Sequence, residues 1–96
     1  MAEERGHVVG VHGEHTVLLY ALSTCIWCKK TRQFLEDAGV TFEYVYVDLV
    51  EPDERREIRA KIRELTASTS FPATIIDEQD CIVGYKPEQI KERLGL

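Results

Sequence analysis

Ninety-six residues make one domain, since single domains commonly run to about 100–150 residues, with a core two or three layers deep. At 44% hydrophobic and 30% charged, the composition is that of an ordinary folded protein. The net charge of −5 argues against nucleic acid or an anionic membrane surface as the main partner, because both reward a basic face.

The chain begins Met-Ala-Glu-Glu-Arg and runs into His and Gly rather than an apolar stretch. No secretory signal is therefore expected, and the expected location is cytoplasmic. In that reducing compartment thiols seldom serve as permanent staples. Residues 1–15 carry His7, His12, His15, three glycines and the short run Val8–Val11. They read as an arm, flexible or with a short extra strand, ahead of a domain spanning 16–96. The three histidines have metal-ligand chemistry, but a solvated tail is the plainer reading.

Thr16–Leu22 is a nearly unbroken apolar run, as in a strand buried on both faces of a parallel sheet. Ser23 and Thr24 offer N-cap oxygens for a following helix. Trp27, Thr31, Phe34, Leu35 and Ala38 recur at helical spacing, and Gly39 closes that helix. Phe42–Asp48 is aromatic and β-branched, a second strand. Pro52 opens a charged helix with Ile58, Ile62 and Leu65 on one stripe. After a loop, Phe71–Ile76 is a third strand, Asp77–Asp80 a turn and Cys81–Val83 a fourth strand. Pro87 opens a last helix carrying Ile90 and Leu94. The order is β-α-β-α-β-β-α. The first two strands should run parallel through a right-handed crossover, and the last two should form a hairpin. No run is long enough to predict a transmembrane helix.

The chemistry concentrates at Cys25-Ile26-Trp27-Cys28. A lone pair at this spacing can be half a zinc site, a structural disulfide or a redox dithiol. Residues i and i+3 of a helix lie roughly 5–6 Å apart, within reach of a disulfide that opens and closes with little backbone motion. Cys25 at the helix N-terminus would meet unpaired N–H groups and the positive dipole end, which favour a thiolate. Lys29 and Lys30 add positive charge. Cys28, one turn inside, would be the less exposed, resolving thiol. A zinc site needs two more ligands, and only Cys81 and the arm histidines are available. The pair's place directly after a buried strand favours the redox dithiol, with no metal. Cys81 reads as a small buried hydrophobe.

A second element is Ser70-Phe71-Pro72. A proline that starts a strand blocks a ladder donor. Together with the cysteine pair, it favours a cis Phe71–Pro72 peptide, with the Phe71 backbone turned outward to meet an extended substrate.

From Thr16 to Leu96 the pattern resembles the glutaredoxin family of the thioredoxin superfamily. The matching pieces are Val17-Leu18-Leu19-Tyr20, the Cys25-Ile26-Trp27-Cys28 motif, the aromatic strand ending at Asp48, Ser70-Phe71-Pro72 and Gly84. The resemblance implies an α/β thioredoxin-like fold with a four-stranded mixed sheet flanked by helices. It implies Cys25 as nucleophile, Cys28 as resolving thiol and Pro72 as cis. Trp27, Ser70, Phe71 and Pro72 become the expected substrate contacts, and Lys29 and Lys30 the thiolate-stabilising pair.

The expected activity is thiol–disulfide exchange through a redox-active Cys25–Cys28 disulfide, on disulfide-bearing proteins or small disulfides, by a monomer. The alternative is a module holding an iron–sulfur cluster. The chain departs from the family in that Ile26 follows the first cysteine where Pro, Ser or Gly is usual, and Leu22-Ser23-Thr24 offers no basic residue before the motif. It departs from glutathione-binding members in that Ser70-Phe71 stands for Thr-Val, and Gly84-Tyr85-Lys86-Pro87 stands where they carry Gly-Gly followed by a small residue. That ending is more similar to glutaredoxin-like redoxins fed by thioredoxin reductase-type enzymes. Glutathione is the disfavoured donor of the two.

Overall fold

The computed structural model describes residues 4–96; the first three residues of the expected arm lie outside it. The strands are β1 (Arg5–Val8), β2 (Val17–Ala21), β3 (Phe42–Tyr46), β4 (Ala73–Ile76) and β5 (Asp80–Val83). The helices are α1 (Ile26–Asp37), α2 (Pro52–Thr66) and α3 (Pro87–Leu94). One sheet runs in the order β1-β3-β2-β4-β5. As expected, β2 and β3 are parallel, and β4 and β5 are an antiparallel hairpin.

The sheet has five strands, not four. The extra one is β1, which lies antiparallel on β3 with Val8 opposite Phe42 and Arg5 opposite Val45. It gives the outer edge of β3 a partner for its N–H and C=O groups. The strand takes in Val8 but stops before the rest of the valine run that drew attention in the sequence. Val9 and Val11 stand exposed, at 78% and 84%. Gly6 permits the pairing, because a Cβ there would collide with the Tyr44 ring. Beyond β1 the chain stays docked: His12 donates its N–H to the Gly39 carbonyl at 2.9 Å, and the Gly10 N–H reaches Thr41 Oγ1 at 2.9 Å.

The sheet is covered on both faces, which explains the unbroken apolar run of β2. Leu19, on one face, packs with Phe42, with Cys28 and Leu35 of α1, and with Ile90 and Leu94 of α3. Tyr20, on the other, packs with Val45, Val47 and Ile75 and with Ile58 and Ile62 of α2. Each such Leu, Ile or Phe contributes about 1.5–3 kcal/mol when fully buried. Strand β4 is shorter than expected, starting at Ala73: Pro72 has no N–H to give the ladder, although its carbonyl still accepts the Gly84 N–H at 2.8 Å.

At the sheet end away from the cysteines, Asp77 ties three segments together. Asp77 and Glu78 take positive φ angles of 55° and 61°, which side chains other than glycine rarely adopt. The Asp77 carboxylate accepts from His15 Nδ1 at 2.8 Å, the Thr16 N–H at 3.0 Å and Arg93 at 3.0 Å. The His15 bond, then the Thr16 N–H and Arg93, hold this carboxyl down at about 2, below its ordinary 3.8. A lowered acid contributes stability that is full above pH 3.8 and is lost as the pH falls toward about 2. Asp77→Asn is therefore expected to flatten the acid limb of a urea-unfolding series taken from pH 5 to pH 2. An unchanged limb would contradict this role.

Candidate active site

The turn Leu22–Thr24 leads from β2 into α1, and it organises both sulfurs. Cys25 is the N-cap of α1, with extended φ and ψ of −94° and 120°. Its Sγ accepts the Cys28 N–H at 3.2 Å, taking the place usually held by a serine or aspartate oxygen. Its own N–H returns to the Leu22 carbonyl at 3.2 Å. Cys25 is half-buried, whereas Cys28 is only 2% exposed. Cys28 Sγ accepts the Leu22 N–H at 3.5 Å. Burial first, then the hydrogen bond and the charge of Cys25, push the Cys28 thiol up to about 12. One sulfur is thus presented at a helix end, and the other is kept as a protonated thiol one turn inside.

The turn is braced from the end of β3. The Asp48 carboxylate accepts the Ser23 N–H at 2.9 Å and the Ser23 hydroxyl at 2.5 Å. Desolvation works to raise this carboxyl, but the two Ser23 bonds, together with Asp48's own N–H and the charge of Arg55, outweigh it and leave it below its ordinary value. Arg55 of α2 donates to the carbonyls of Val47, Asp48 and Val50, at 3.0–3.3 Å, and so holds the segment that carries Asp48. Sequence reasoning used Asp48 only to mark a strand end. The Ser and Asp are 25 positions apart, and their pairing follows from the parallel alignment of β2 and β3.

The groove beside Cys25 is lined by Trp27, Phe71, Pro72, Gly84 and Tyr85, with a volume of about 300 Å³. The Phe71–Pro72 peptide is cis, as expected from the sequence. Phe71 makes no hydrogen bond through its N–H or carbonyl among the described residues, so both stay available. Ser70 is exposed on the approach to the groove, its N–H on Ser68 Oγ at 3.3 Å. Trp27 falls in register with the apolar stripe of α1 yet is 53% exposed. It stacks on Tyr85 instead, with ring centroids 5.9 Å apart and planes 27° from parallel. Tyr85 was visible in the sequence only as a bulky departure; the structure makes it a wall of the groove.

Lys30 places its Nζ 5.0 Å from the Trp27 ring centroid, and Lys29 is exposed on the next position. Cys81 packs on the α2 face of the sheet, whereas Cys28 belongs to the opposite face. Burial raises the Cys81 thiol. Among the described residues no three His, Cys, Asp or Glu side chains gather as a metal site. Among the described residues no helix is long and apolar enough to cross a membrane.

The Glutaredoxin family model matches residues 17–81. The glutaredoxin of Methanosarcina mazei Go1 is 47% identical, with a TM-score of 0.92 over 98% of this chain and 90% of that one. Methanoredoxin of Methanosarcina acetivorans is 44% identical, with a TM-score of 0.89 over 97% of this chain and 98% of its own. Gene 56 protein of Mycobacterium phage D29 is 32% identical over 76 residues, 79% of each chain. The family model takes in the dithiol turn, the cis-proline, strands β2, β3 and β4 and the start of β5, and the chain belongs to the glutaredoxin family.

Proposed function

We propose that the protein is a thiol–disulfide oxidoreductase that reduces protein or low-molecular-weight disulfides through Cys25 and Cys28. Members of the glutaredoxin family are thiol oxidoreductases. The observation that carries the reading here is the asymmetry of the pair: Cys25 Sγ at the helix N-cap, Cys28 buried and protonated behind it.

In the first step the Cys25 thiolate attacks one sulfur of the substrate disulfide. A Cys25–substrate bond forms, and the other substrate sulfur leaves as a thiolate and takes up a proton. Lys29 and Lys30 support the attacking charge. In the second step Cys28 attacks Cys25 Sγ, the Cys25–Cys28 bond closes, and the second substrate sulfur leaves. The Cys28 proton balances that second thiol. Two of the influences that hold the Cys28 proton come from Cys25, its hydrogen bond and its charge. Both weaken once Cys25 Sγ is tied up in the mixed disulfide. Burial remains, so the second attack is released without leaving Cys28 reactive in the resting protein.

A reductant then returns the Cys25–Cys28 disulfide to the dithiol. Tyr85 fills the groove wall where glutathione-binding members have small residues, and Pro87 removes one of the N–H groups at the start of α3 that could hold a carboxylate. Both features favour a thioredoxin reductase-type donor over glutathione, acting in the cytoplasm. Cys28→Ser is expected to stop the cycle halfway and to accumulate a Cys25 mixed disulfide with an added model disulfide, seen by intact mass. A Cys28→Ser protein that stayed unmodified under excess disulfide would refute the proposed roles.

A further inference from the structure

Most arginines of this chain are committed. Arg5, Arg32, Arg56 and Arg93 each close an ion pair with a carboxylate, and Arg55 is engaged by three carbonyls. Lys30, Arg59 and Lys86 close no ion pair among the described residues, nor do Lys29, Lys61, Arg63 and Lys91, but the first three each stand against a groove residue. Lys30 Nζ is 5.0 Å from the Trp27 centroid, and Arg59 Cζ is 5.9 Å from the Phe71 centroid. Lys86 Cε is 3.8 Å from where a Cβ on Gly84 would sit. They come from α1, from α2 and from the loop between β5 and α3. On a chain of net charge −5, one apolar groove is therefore ringed by three uncompensated cations. A cation over an aromatic face keeps donors free for an incoming anion.

The geometry points to an extended acidic protein segment as the occupant of this groove. The segment presents its disulfide to Cys25, lays apolar side chains along Trp27 and Tyr85, and reaches Lys30, Arg59 and Lys86 with its carboxylates. The inference rests on the oxidoreductase reading above. A polypeptide suits the free N–H and carbonyl of Phe71, which can pair with an extended backbone. Side-chain carboxylates spaced along a strand match cations on three separate elements. Pro87 removes one backbone donor at the start of α3, which leaves more of the anion binding there to these long side chains. Rim charges of this kind act mainly on encounter rate and partner choice.

The test uses three synthetic peptides with the same internal disulfide, flanked by Glu, Gln or Lys, together with oxidised glutathione. Each is mixed with the reduced protein, and oxidation is followed by the fluorescence of Trp27, the single tryptophan. The second-order rate should fall from Glu to Gln to Lys by about two- to fivefold at each step, as for exposed charge pairs. Oxidised glutathione should be slower than the Glu peptide. In the wild-type protein the order should collapse at about 1 M salt, where the screening length is about 3 Å. In the Lys30→Glu, Arg59→Glu, Lys86→Glu triple variant it should invert. Equal peptide rates at low salt, or oxidised glutathione outrunning the Glu peptide, would overturn the acidic-segment proposal and leave the oxidoreductase reading standing. So would an order that survives high salt. If no disulfide oxidises the protein at all, both fall.

Discussion

Cys25→Ser is expected to lower the rate of disulfide reduction by about three orders of magnitude or more, the scale on which removing a covalent nucleophile acts. The substitution is unusually clean, because serine is among the preferred N-cap residues. Its hydroxyl oxygen can accept the Cys28 N–H that Cys25 Sγ now accepts at 3.2 Å. Helix α1 should start at the same place, and thermal stability should be unchanged or slightly higher. Activity and stability are thereby separated. A hydroxyl at neutral pH has almost no anionic fraction and cannot form a disulfide, so the first step has no route. Turnover of a model disulfide and the melting temperature, measured on one sample, check both halves. A native rate in Cys25→Ser would show that the exchange runs elsewhere.

The largest loss of stability is expected at Phe42. Its ring is 1% exposed and packs on the α1 and α3 face, 6.4 Å from the Tyr44 ring between centroids. It faces Val8 across the β1–β3 ladder, so α1, the sheet and the docked arm all depend on it. Phe42→Ala is expected to cost about 3–5 kcal/mol, the range for truncating a buried aromatic. Against a typical domain stability of about 5–15 kcal/mol, that is a large fraction. A lower urea midpoint at an unchanged denaturant slope would report it. Val9→Ala is the control: with its side chain largely in solvent, it should change stability by no more than about 0.5 kcal/mol. A Phe42→Ala protein as stable as the control would mean that the core does not rest on this ring.

The cysteine pair was legible because its chemistry is local. Two thiols three positions apart after an apolar strand, with a helix following, imply one sulfur at the helix start and a second one turn inside, and that is where Cys25 and Cys28 sit; the N-cap, expected at Ser23 or Thr24, falls on Cys25 itself. The helices were legible for the same reason: Ile58 and Ile62 of α2, and Ile90 and Leu94 of α3, fall on buried stripes four residues apart. Strand β1 was harder. Its four residues alternate between exposed and half-buried and carry Arg, Gly and His, so nothing in their composition marks a strand. What makes them one is the open edge of β3, which lies more than thirty positions away.

Local sequence therefore determined the order of elements from β2 onward and the placing of Cys25 and Cys28 at the start of α1, since backbone propensity, capping and hydrophobic period act over a few residues. Tertiary structure alone decided that Trp27 turns out of the core to meet Tyr85, that Asp48 braces Ser23, and that three cations gather around one groove. Each of these joins residues far apart in the chain. Whether such side chains meet depends on how the strands align and how the helices pack on them, and no local preference specifies that.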